Sequence, residues 1–497
     1  MSRRDTNFVK MIGRTFLRLC IALLIGGCGI SASAQTKPES RVDLLVAGGT
    51  VVTMDAGRHV YEDGAVAVRG DQIVAVGFRK DLAAKYAAAR TIDTQGKLVM
   101  PGLINGHTHV PMTLLRGIAN DLNLQDWLTG YIFPAEARNV NEEFVVWGTR
   151  LALLEMIRGG TTTFADMYYY EDAVARETKA AGMRGLLGEA ILDFPVPGYK
   201  TVPEGLAYSE EFLKHWQGDP LVRAAVAPHS IYTASEKTLR DSFALARKYS
   251  APVMLHLSET KKELKDSRAK NGGSPVVYLD RLGLLGPDVL AAHCVWLDGG
   301  DIALLARHDA GCVHNPSSNM MLASGVAPVI EMREAGLRLG LGTDGPSGSN
   351  NDLNMMEEMD LAAKLQKVTR MDPRVLSAEQ VLGMATIEGA RALHMEKEIG
   401  SLQAGKKADL IVLNLGVPHA VPVYDIYAQI VYALKASDVE TVLIAGRPVM
   451  ENRRLWTLDE AEIIAKARAY GERVKKTLAP LSPANRPAVL LSAPDAN

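Results

Sequence analysis

Two histidines separated by one residue, His107 and His109, are the first residues of this chain whose spacing indicates chemistry. They lie on a predicted strand, and side chains at i and i+2 of a strand point to the same side, so both imidazoles can reach one ion. His256 and Asp344, at the ends of two later predicted strands, can complete the ligand set. Three neutral imidazoles and one carboxylate suit zinc, with divalent iron as the second choice. The spacing therefore predicts a site for a divalent metal.

Eight short apolar runs must position these ligands. From residue 98 onward they alternate with amphipathic stretches such as residues 142–158, 235–249 and 301–308. Such runs are typical of strands buried on both faces, and strand followed by helix eight times predicts an α/β fold, a parallel (β/α)8 TIM barrel. The runs are KLVMPGLIN, TTTFAD, RGLLGEAIL, VRAAVAPHS, PVMLHLSE, VLAAHCVW, GCVHNPSS and LRLGLGTDG.

Polar residues of the types that bind metals or move protons stand at the end of almost every run. They are His107 and His109, Asp166, Glu189, His229, His256 and Glu259, His293, His314 and Asn315, and Asp344. A lone histidine in an apolar segment is more often a satisfied core residue than a ligand. Burying this many polar groups without partners would cost about 1–3 kcal/mol for each of them. Because barrel enzymes build their sites at the carboxyl ends of the strands, we predict an active site there.

The composition favours a small-molecule substrate. The chain has 497 residues, of which 47% are hydrophobic and 23% charged, as in an ordinary globular protein. The formal net charge is -2, and no long block of like charge follows the first twenty residues. A nucleic-acid binder would usually carry a basic patch, so we expect no nucleic-acid partner.

A second domain is expected beside the barrel. Short strand patterns fill residues 42–97 and return in residues 397–457, with ADLIVLNL and VETVLIAGRPVM. Neither piece is long enough for a good sheet core of its own. We therefore predict one small β-sandwich, composed of both segments, around a barrel at residues 98–396. Residues 458–497 are interpreted as a C-terminal helix, over 458–477, and a tail.

The N-terminus is interpreted as a signal peptide over residues 1–34. A basic segment precedes an apolar stretch at residues 19–30, too short to span a membrane comfortably, and Ala32-Ser33-Ala34 supplies a small-residue cleavage site. Ile25-Gly26-Gly27-Cys28 also resembles a bacterial lipobox, so lipidation at Cys28 is an alternative to cleavage. We expect an exported protein, periplasmic or lipid-anchored at the cell envelope; the other interpretation is a cytoplasmic protein with an apolar N-terminus. Cys294 and Cys312 are expected to be small buried residues outside any disulfide.

Four motifs in order, GHTH, H-x-x-E, AHC and GTDG, resemble those of the amidohydrolase superfamily. The resemblance covers nearly the whole chain after the signal segment, including the split β-sandwich. Two-metal members of that superfamily often carry a carboxylated lysine at the fourth strand, and VRAAVAPHS contains no lysine. The resemblance therefore implies a single metal, held by His107, His109, His256 and Asp344.

The chemistry predicted for such a site is hydrolytic deamination. A divalent metal can lower the pKa of bound water to about 7, and the resulting metal-bound hydroxide can attack the amino-bearing carbon of an adenine-type ring and release ammonia. The resemblance assigns the proton transfer from water to ring nitrogen to Glu259. It implies that His293 orients the nucleophile and that Asp344 also helps a proton to reach the ammonia. The alternative for Glu259 is a solvated carboxylate at a helix start, because Ser258-Glu259-Thr260 resembles a cap.

Longer stretches resemble the 5′-methylthioadenosine/S-adenosylhomocysteine deaminase branch. The resemblance implies that Trp127 and Glu136 contact the nucleoside, Glu136 through the ribose hydroxyls, and that His229 contacts the purine ring. The alternative for Trp127 is plain loop packing. The stretches are HTHVPMTLLRGIANDLNLQDWL, IFPAEA, APHSIYT, HLSET, AHCVW, HNPSSNMMLASGVAPV and GTDGPSGSNNDLNMMEEM.

Three departures from that branch leave the substrate open. ILDFPVPGYK offers no arginine after Arg184 to hold a homocysteine carboxylate, and Lys200 would be a poorer bidentate partner. Met321 stands where the branch more often shows lysine, and export is unexpected for nucleoside salvage. The alternatives are a hydrolase that deaminates or dechlorinates triazine-type rings, another heterocyclic amine deaminase, and an exported binding protein derived from the enzyme. We expect a purine nucleoside or heterocyclic amine as ligand, membrane contact only through lipidated Cys28, and a homo-oligomer.

Overall fold

The computed structural model describes residues 40–478, which form a parallel barrel and a separate nine-stranded sheet. The predicted signal peptide with Cys28 and the tail from residue 479 lie outside the described residues. No helix within residues 40–478 is long and apolar enough to cross a membrane.

The barrel consists of eight parallel strands, and each pairs with the next in sequence order. A bridge between Thr108 and Asp344 and the hydrogen bond from the Asp344 amide to the His107 carbonyl, 2.9 Å long, join the last strand to the first. This arrangement confirms the predicted (β/α)8 barrel. The barrel strands are β6 (Leu103–Thr108), β7 (Thr161–Tyr168), β8 (Arg184–Ile191), β9 (Val222–Pro228), β10 (Val253–Leu257), β11 (Val289–His293), β12 (Gly311–His314) and β13 (Arg338–Leu341).

Burial explains why these short runs form strands. Every residue of β6, β7 and β8 is buried, as expected when helices cover a parallel sheet on one side and side chains fill the barrel on the other. Polar caps begin several of the helices: Asn141, Ser235 and Thr260 each accept a hydrogen bond from a backbone amide three residues ahead. The helices around the barrel are α4 (Glu142–Arg158), α5 (Glu171–Ala181), α6 (Val202–Trp216), α7 (Glu236–Lys248), α8 (Lys261–Asn271), α9 (Pro275–Arg281), α10 (Gly299–Arg307), α11 (Pro316–Met321), α12 (Val329–Glu334), α13 (Met355–Arg370), α14 (Ala378–Met384) and α15 (Ile387–Ala392).

The second sheet takes strands from both ends of the described chain, as predicted. The C-terminal strand β14 pairs antiparallel with β5, which runs parallel to β1, so the two segments share one ladder. The predicted sandwich is thus one continuous hydrogen-bonded sheet. Its strands are β1 (Ser40–Val52), β2 (Val60–Arg69), β3 (Gln72–Phe78), β4 (Tyr86–Asp93), β5 (Lys97–Pro101), β14 (Leu410–Asn414), β15 (Val439–Ile444), β16 (Arg447–Glu451) and β17 (Arg454–Leu455).

The run KLVMPGLIN, predicted as one barrel strand, is divided between the two sheets. Lys97–Pro101 is β5 of the outer sheet, and the barrel begins at Leu103. Pro101 has no amide hydrogen with which to continue a ladder. Gly102 lies so close to the next strand that a Cβ atom would be 2.1 Å from the Thr162 hydroxyl oxygen. These two residues therefore carry the chain from one sheet into the other.

Five shorter or peripheral helices complete the set of α-helices in residues 40–478. The predicted C-terminal helix is α17, whose buried Ile463, Tyr470 and Val474 pack against Phe144 and Trp147 of α4. It therefore covers the outside of the barrel. These helices are α1 (Arg79–Lys85), α2 (Leu124–Trp127), α3 (Phe133–Asn139), α16 (Ile426–Ala428) and α17 (Glu460–Leu478).

Candidate metal centre and active site

The four predicted ligands converge on one point. One ligand atom from each of His107, His109, His256 and Asp344 lies within 4.8 Å of all the others, and all four residues are buried. Asp344 Oδ1 is 3.4 Å from His107 Nε2 and 3.2 Å from His109 Nε2, and His256 Nε2 is 3.3 Å from His109 Nε2. Four ligands with bonds of about 2.0–2.1 Å in tetrahedral geometry stand about 3.3 Å apart. The separations therefore match a small divalent cation.

The hydrogen bonds on the far side of the rings support the same conclusion. His109 Nδ1 lies 2.6 Å from the Met167 carbonyl, and His256 Nδ1 lies 2.8 Å from the His229 carbonyl. A carbonyl only accepts, so each Nδ1 carries its hydrogen, and Nε2 is the atom that each ring turns toward the cluster. The two Nε2 atoms lie 3.3 Å apart, and His107 Nε2 is buried without a hydrogen-bond partner. A shared cation satisfies all three nitrogens.

Burial and mutual repulsion keep most of these imidazoles neutral. Burial lowers the pKa of His107 to about 4, and burial together with the neighbouring imidazoles lowers that of His256 well below its usual range. For His109, burial is outweighed by Asp344, and its pKa rises to about 9. Burial also opposes the charge on Asp344, but His107 and His109 hold its pKa well below the usual value. The ligand set is thus an ionised carboxylate surrounded by nitrogen donors.

Glu259 is buried beside this cluster. Only 2% of it is exposed, and burial, followed by the charge of Asp344, raises its pKa well above the usual value. Its alternative role at a helix start is excluded, because Thr260 is the cap of α8. Glu263, which sequence reasoning missed, accepts hydrogen bonds from the amides of Ser258 and Glu259 at 3.0 and 2.7 Å. The spacing Thr260-x-x-Glu263, typical of a capping box, is the signal that could have identified it.

His293 faces both Glu259 and the ligand cluster. Its Nε2 lies 3.9 Å from Glu259 Oε2 and 4.0 Å from Asp344 Oδ2. Its Nδ1 lies 3.0 Å from Asn319 Oδ1, and burial lowers its pKa, so the neutral ring donates from Nδ1 and presents a lone pair to the pocket. Ser318, also unpredicted, donates to Asp344 Oδ2 at 2.6 Å. Ser318 and Asn319 both lie in the stretch HNPSSNMM. The resemblance to the deaminase branch includes this stretch but assigns no role to either residue.

Three of these residues have strained backbones. Ser258, His293 and Asp344 adopt φ angles of 53°, 75° and 65°, in the left-handed region that residues with side chains rarely adopt. All three stand where a barrel strand ends and its chain turns into a loop. Strain of this kind costs about 1–3 kcal/mol per residue and clusters at functional sites. The fold therefore tolerates it at the face where the ligands meet.

A pocket that is open to solvent lies over the cluster. It brings together Trp127, Glu136, His229, Glu259 and His293 with three of the ligands, His109, His256 and Asp344. Its wall is largely apolar. The apolar part consists of Met112, Leu124, Leu128, Ile132, Phe133 and Met167.

The predicted substrate contacts occupy different positions in this pocket. Glu136 is buried, its Oε1 accepts a hydrogen bond from the Tyr168 hydroxyl at 2.7 Å, and burial raises its pKa to about 7. His229 Nδ1 is 2.9 Å from the Thr233 hydroxyl, which leaves Nε2 for a ligand. Trp127 donates to the Ser347 carbonyl at 2.9 Å. Loop packing therefore uses its indole N–H, and only its ring face is left for a substrate.

The remaining residues named from sequence lie outside the pocket wall. His314 and Asn315 are buried behind His293, and Asn315 Nδ2 lies 3.3 Å from His293 Nδ1. Glu189 accepts from the amide of Glu171 at 2.9 Å. Lys200 is exposed. Arg184 begins β8 at the opposite end of the barrel. Cys294 and Cys312 are buried and free, as expected.

Comparison with known proteins agrees with this geometry. Residues 98–449 match the model of the Amidohydrolase family. The chain is 49% identical over 437 residues to 5-methylthioadenosine/S-adenosylhomocysteine deaminase 1 of Syntrophus aciditrophicus (strain SB), which covers 88% of this chain and 98% of that protein. Its fold matches a zinc-bound adenosine deaminase from Xanthomonas campestris with a TM-score of 0.87 and 40% identity, over 88% of this chain and 100% of that one.

A triazine hydrolase from Arthrobacter aurescens is similar in fold, with a TM-score of 0.80 and 24% identity over 86% of this chain and 99% of that one. The likeness at that identity concerns the fold alone. The family match covers most of the chain, and the match to the deaminase relative covers 88% of it. This chain belongs to the amidohydrolase family.

Proposed function

We propose that this protein is a metal-dependent hydrolytic deaminase of an adenosine-type nucleoside that carries a small uncharged group at the 5′ position. The observation that carries the proposal is the buried Glu259, which faces His293 across a pocket whose floor is the His/Asp cluster. The names of the deaminase relative and of the adenosine deaminase structure support the same reaction. Zinc is the proposed metal, because the donor set suits it and the structural relative holds zinc.

Two side chains transfer protons in the proposed reaction, and a third orients the water. When bound, a divalent cation supplies Lewis acidity that lowers the pKa of water to about 7. Glu259, whose pKa is raised by burial, takes a proton from the attacking water and delivers it to the ring nitrogen. His293 Nε2 accepts a hydrogen bond that orients this water. Asp344 Oδ2, fixed by Ser318 and 4.0 Å from His293 Nε2, takes the second proton of the added water and passes it to the amino group, which leaves as ammonia.

Glu136 and His229 are assigned to nucleoside binding. The Glu136 carboxylate accepts the ribose hydroxyls through its second oxygen, Oε2, which has only a long 3.5 Å contact with the Tyr169 hydroxyl. His229 Nε2 contacts the purine ring. The ring face of Trp127 closes the pocket from the first loop. These contacts hold the amino-bearing carbon over the cluster, which is the positioning that a hydrolytic attack requires.

The charge of the pocket limits the 5′ substituent. Among the described residues, no lysine or arginine lines the pocket, whereas three carboxyl groups do: Glu136, Glu259 and Asp344. A homocysteine tail carries a carboxylate that would lose water there without gaining a cationic partner, which is unfavourable. A methylthio group or a plain methyl group fits the apolar wall better. We therefore place 5′-methylthioadenosine and 5′-deoxyadenosine ahead of S-adenosylhomocysteine.

An ammonia-release assay with the purified protein tests the proposal. It compares adenosine, 5′-methylthioadenosine, 5′-deoxyadenosine, S-adenosylhomocysteine and a chlorinated triazine. We expect kcat/KM for S-adenosylhomocysteine to be about tenfold or more below that for methylthioadenosine, a difference of about 1.4 kcal/mol. Turnover of the triazine alone, or of no compound by metal-loaded protein, would refute the deaminase. Equal turnover of both sulfur nucleosides would refute the 5′ preference.

Export is proposed on the N-terminal pattern alone. Mass spectrometry of protein recovered from its native host distinguishes cleavage after Ala34 from lipidation at Cys28, and an intact Met1 would refute export. The homo-oligomer stays a prediction, which sedimentation analysis of the purified protein measures.

A further inference from the structure

Two buried carboxyl groups face each other behind the metal-binding strand. Asp166 lies on β7 and is 1% exposed, and Glu171 begins α5 and is fully buried. The two side chains are close enough for a hydrogen bond between them once one of the carboxyl groups carries a proton. Neither residue lines the pocket, and the proposed reaction uses neither.

One oxygen of Asp166 holds the backbone on both sides of His109. Asp166 Oδ1 accepts from the amide of Val110 at 2.6 Å and lies 2.5 Å from the Thr108 hydroxyl, which also reaches the Ala165 carbonyl at 2.8 Å. The carbonyl of the next residue, Met167, accepts from His109 Nδ1 at 2.6 Å. Asp166 and Met167 together therefore fix three consecutive residues, of which the middle one is a metal ligand.

The other oxygen of Asp166 depends on Glu171. Asp166 Oδ2 and both carboxyl oxygens of Glu171 are buried, and none of these three oxygens has a hydrogen-bond partner when both groups are ionised. Burial, followed by the charge of Asp166, raises the pKa of Glu171 well above its usual value. A single proton on Glu171 gives Asp166 Oδ2 its donor. The Glu171 amide donates to Glu189 at 2.9 Å, which fixes the start of α5 and hence this acid.

We propose that Asp166 is a positioning residue of the metal centre and that Glu171, as its hydrogen-bond donor, fixes the orientation of the Asp166 carboxylate. A carboxylate free to rotate would release the Val110 amide and the Thr108 hydroxyl. His109 would then be held by the Met167 carbonyl alone, and the ligand geometry would loosen. Partners that orient ligand histidines are typically worth 10–100-fold in metal affinity. The inference rests on the proposed metal centre and is independent of which nucleoside the protein deaminates.

The test measures zinc affinity by competition with a chelator, at a temperature where each variant is folded by circular dichroism. We expect Asp166→Ala to bind zinc about 10–100-fold more weakly than the unaltered protein. Glu171→Leu removes the donor and should weaken zinc binding several-fold. Glu171→Gln keeps a donor, because its amide can donate to Asp166, and should bind zinc about as well as the unaltered protein does. Asp301→Asn is the matched control: this buried carboxylate accepts from the amide of Asp298, which caps α10, and its loss should lower stability without changing zinc affinity.

Each result bears on the proposal. Unchanged zinc affinity in folded Asp166→Ala overturns the positioning role, and so does an equal loss in Asp301→Asn. If Asp166→Ala does not fold, the two Glu171 variants test the proposal instead. Equal losses of zinc affinity in Glu171→Leu and Glu171→Gln would overturn the donor role. An unaltered protein that binds zinc but deaminates nothing refutes the proposed function alone. One that binds no divalent metal refutes both.

Discussion

The two ends of the barrel bury charge in opposite ways. At the amino ends of the strands, Arg184 and Asp409 are each 3% exposed and form a two-pronged ion pair, with contacts of 3.0 and 3.3 Å. Arg184 also donates to the Pro220 carbonyl, and Asp409 accepts from the Ala445 amide. At the carboxyl ends, His107 and its neighbours present buried nitrogen atoms to one another without a partner from the protein.

This difference separates structure from function. The ion pair is satisfied by the protein, and it joins the barrel to the outer sheet. The cluster at the other end is satisfied only by something that the chain does not supply, and it is surrounded by strained backbone. Buried polar groups without partners oppose folding, so their presence at one end indicates selection for binding rather than for stability. The same contrast predicts which substitutions change stability and which change activity.

The largest expected effect is that of removing the metal. A chelator that strips the metal should abolish ammonia release, and zinc should restore it. Because the metal binds only the folded state, its removal should also lower the free energy of unfolding. The loss should be about 4 kcal/mol relative to protein kept in free zinc at about a thousand times Kd. Metal analysis, the ammonia assay and urea denaturation measure the three changes. Full turnover in protein shown to be metal-free would contradict the site.

Replacing Glu259 should separate metal binding from turnover. Glu259→Gln keeps the shape of the side chain but cannot carry the proton, so we expect kcat to fall about 10²–10⁴-fold while zinc content is retained. The neutral amide should leave the stability of the protein unchanged or higher. The exposed Glu334→Gln serves as the control and should behave as the unaltered protein does. A fully active Glu259→Gln variant would remove Glu259 from the mechanism.

At the other end of the barrel, Arg184→Met should give the reverse pattern. It leaves the Asp409 carboxylate buried without its cation, which typically costs about 3–5 kcal/mol. We expect urea denaturation to show that loss, while zinc content and kcat of the folded protein stay unchanged. Loss of zinc binding in this variant would break the comparison, because it would show that the two ends are energetically coupled. The double variant Arg184→Met, Asp409→Leu should recover part of the stability.

The smallest expected effect concerns pH. Burial raises the pKa of Glu136 from its ordinary 4.5 to about 7, so the folded protein holds a proton that the unfolded chain has released. The stability that this proton confers is complete below about pH 4.5 and is lost as pH rises through about 7. Glu136→Gln should therefore gain stability relative to the unaltered protein as pH rises between these values, by no more than about 3.4 kcal/mol. Denaturation at pH 5 and pH 8 measures the difference, and parallel profiles would contradict it.

The sequence predicted the parts of the molecule whose residue types are themselves informative. His107, His109, His256 and Asp344 combine ligand chemistry with strand spacing, so their convergence followed from a barrel. The resemblance added Glu259 and His293. Their proton-transfer roles are still to be tested by substitution.

Contacts that act through backbone groups could not be predicted in this way. Glu263 acts on two nearby amides and is marked only by its spacing from Thr260, whereas Asp166 acts on an amide and a hydroxyl near the end of another strand, so the pairings of Asp166 have no fixed sequence separation. Glu171 resembles any acidic residue in the first turn of a helix. The division of KLVMPGLIN between two sheets could not be predicted for a different reason. An apolar run has the same residue pattern whether it contributes a strand to one sheet or to two.

Because the chain passes from the outer sheet into the barrel at Pro101 and Gly102, we expect the two domains to be inherited together. The strand that ends there belongs to the outer sheet, and the strand that begins at Leu103 carries the metal ligand His107 and leads directly into His109. No linker separates them, and the Gly102 amide donates to Asp409, which also anchors the far segment of the sheet. A barrel excised at this point would lose both its neighbouring strand and its ion-pair partner. Recombination between relatives should therefore exchange the loops over the pocket, and leave the barrel and its sheet together.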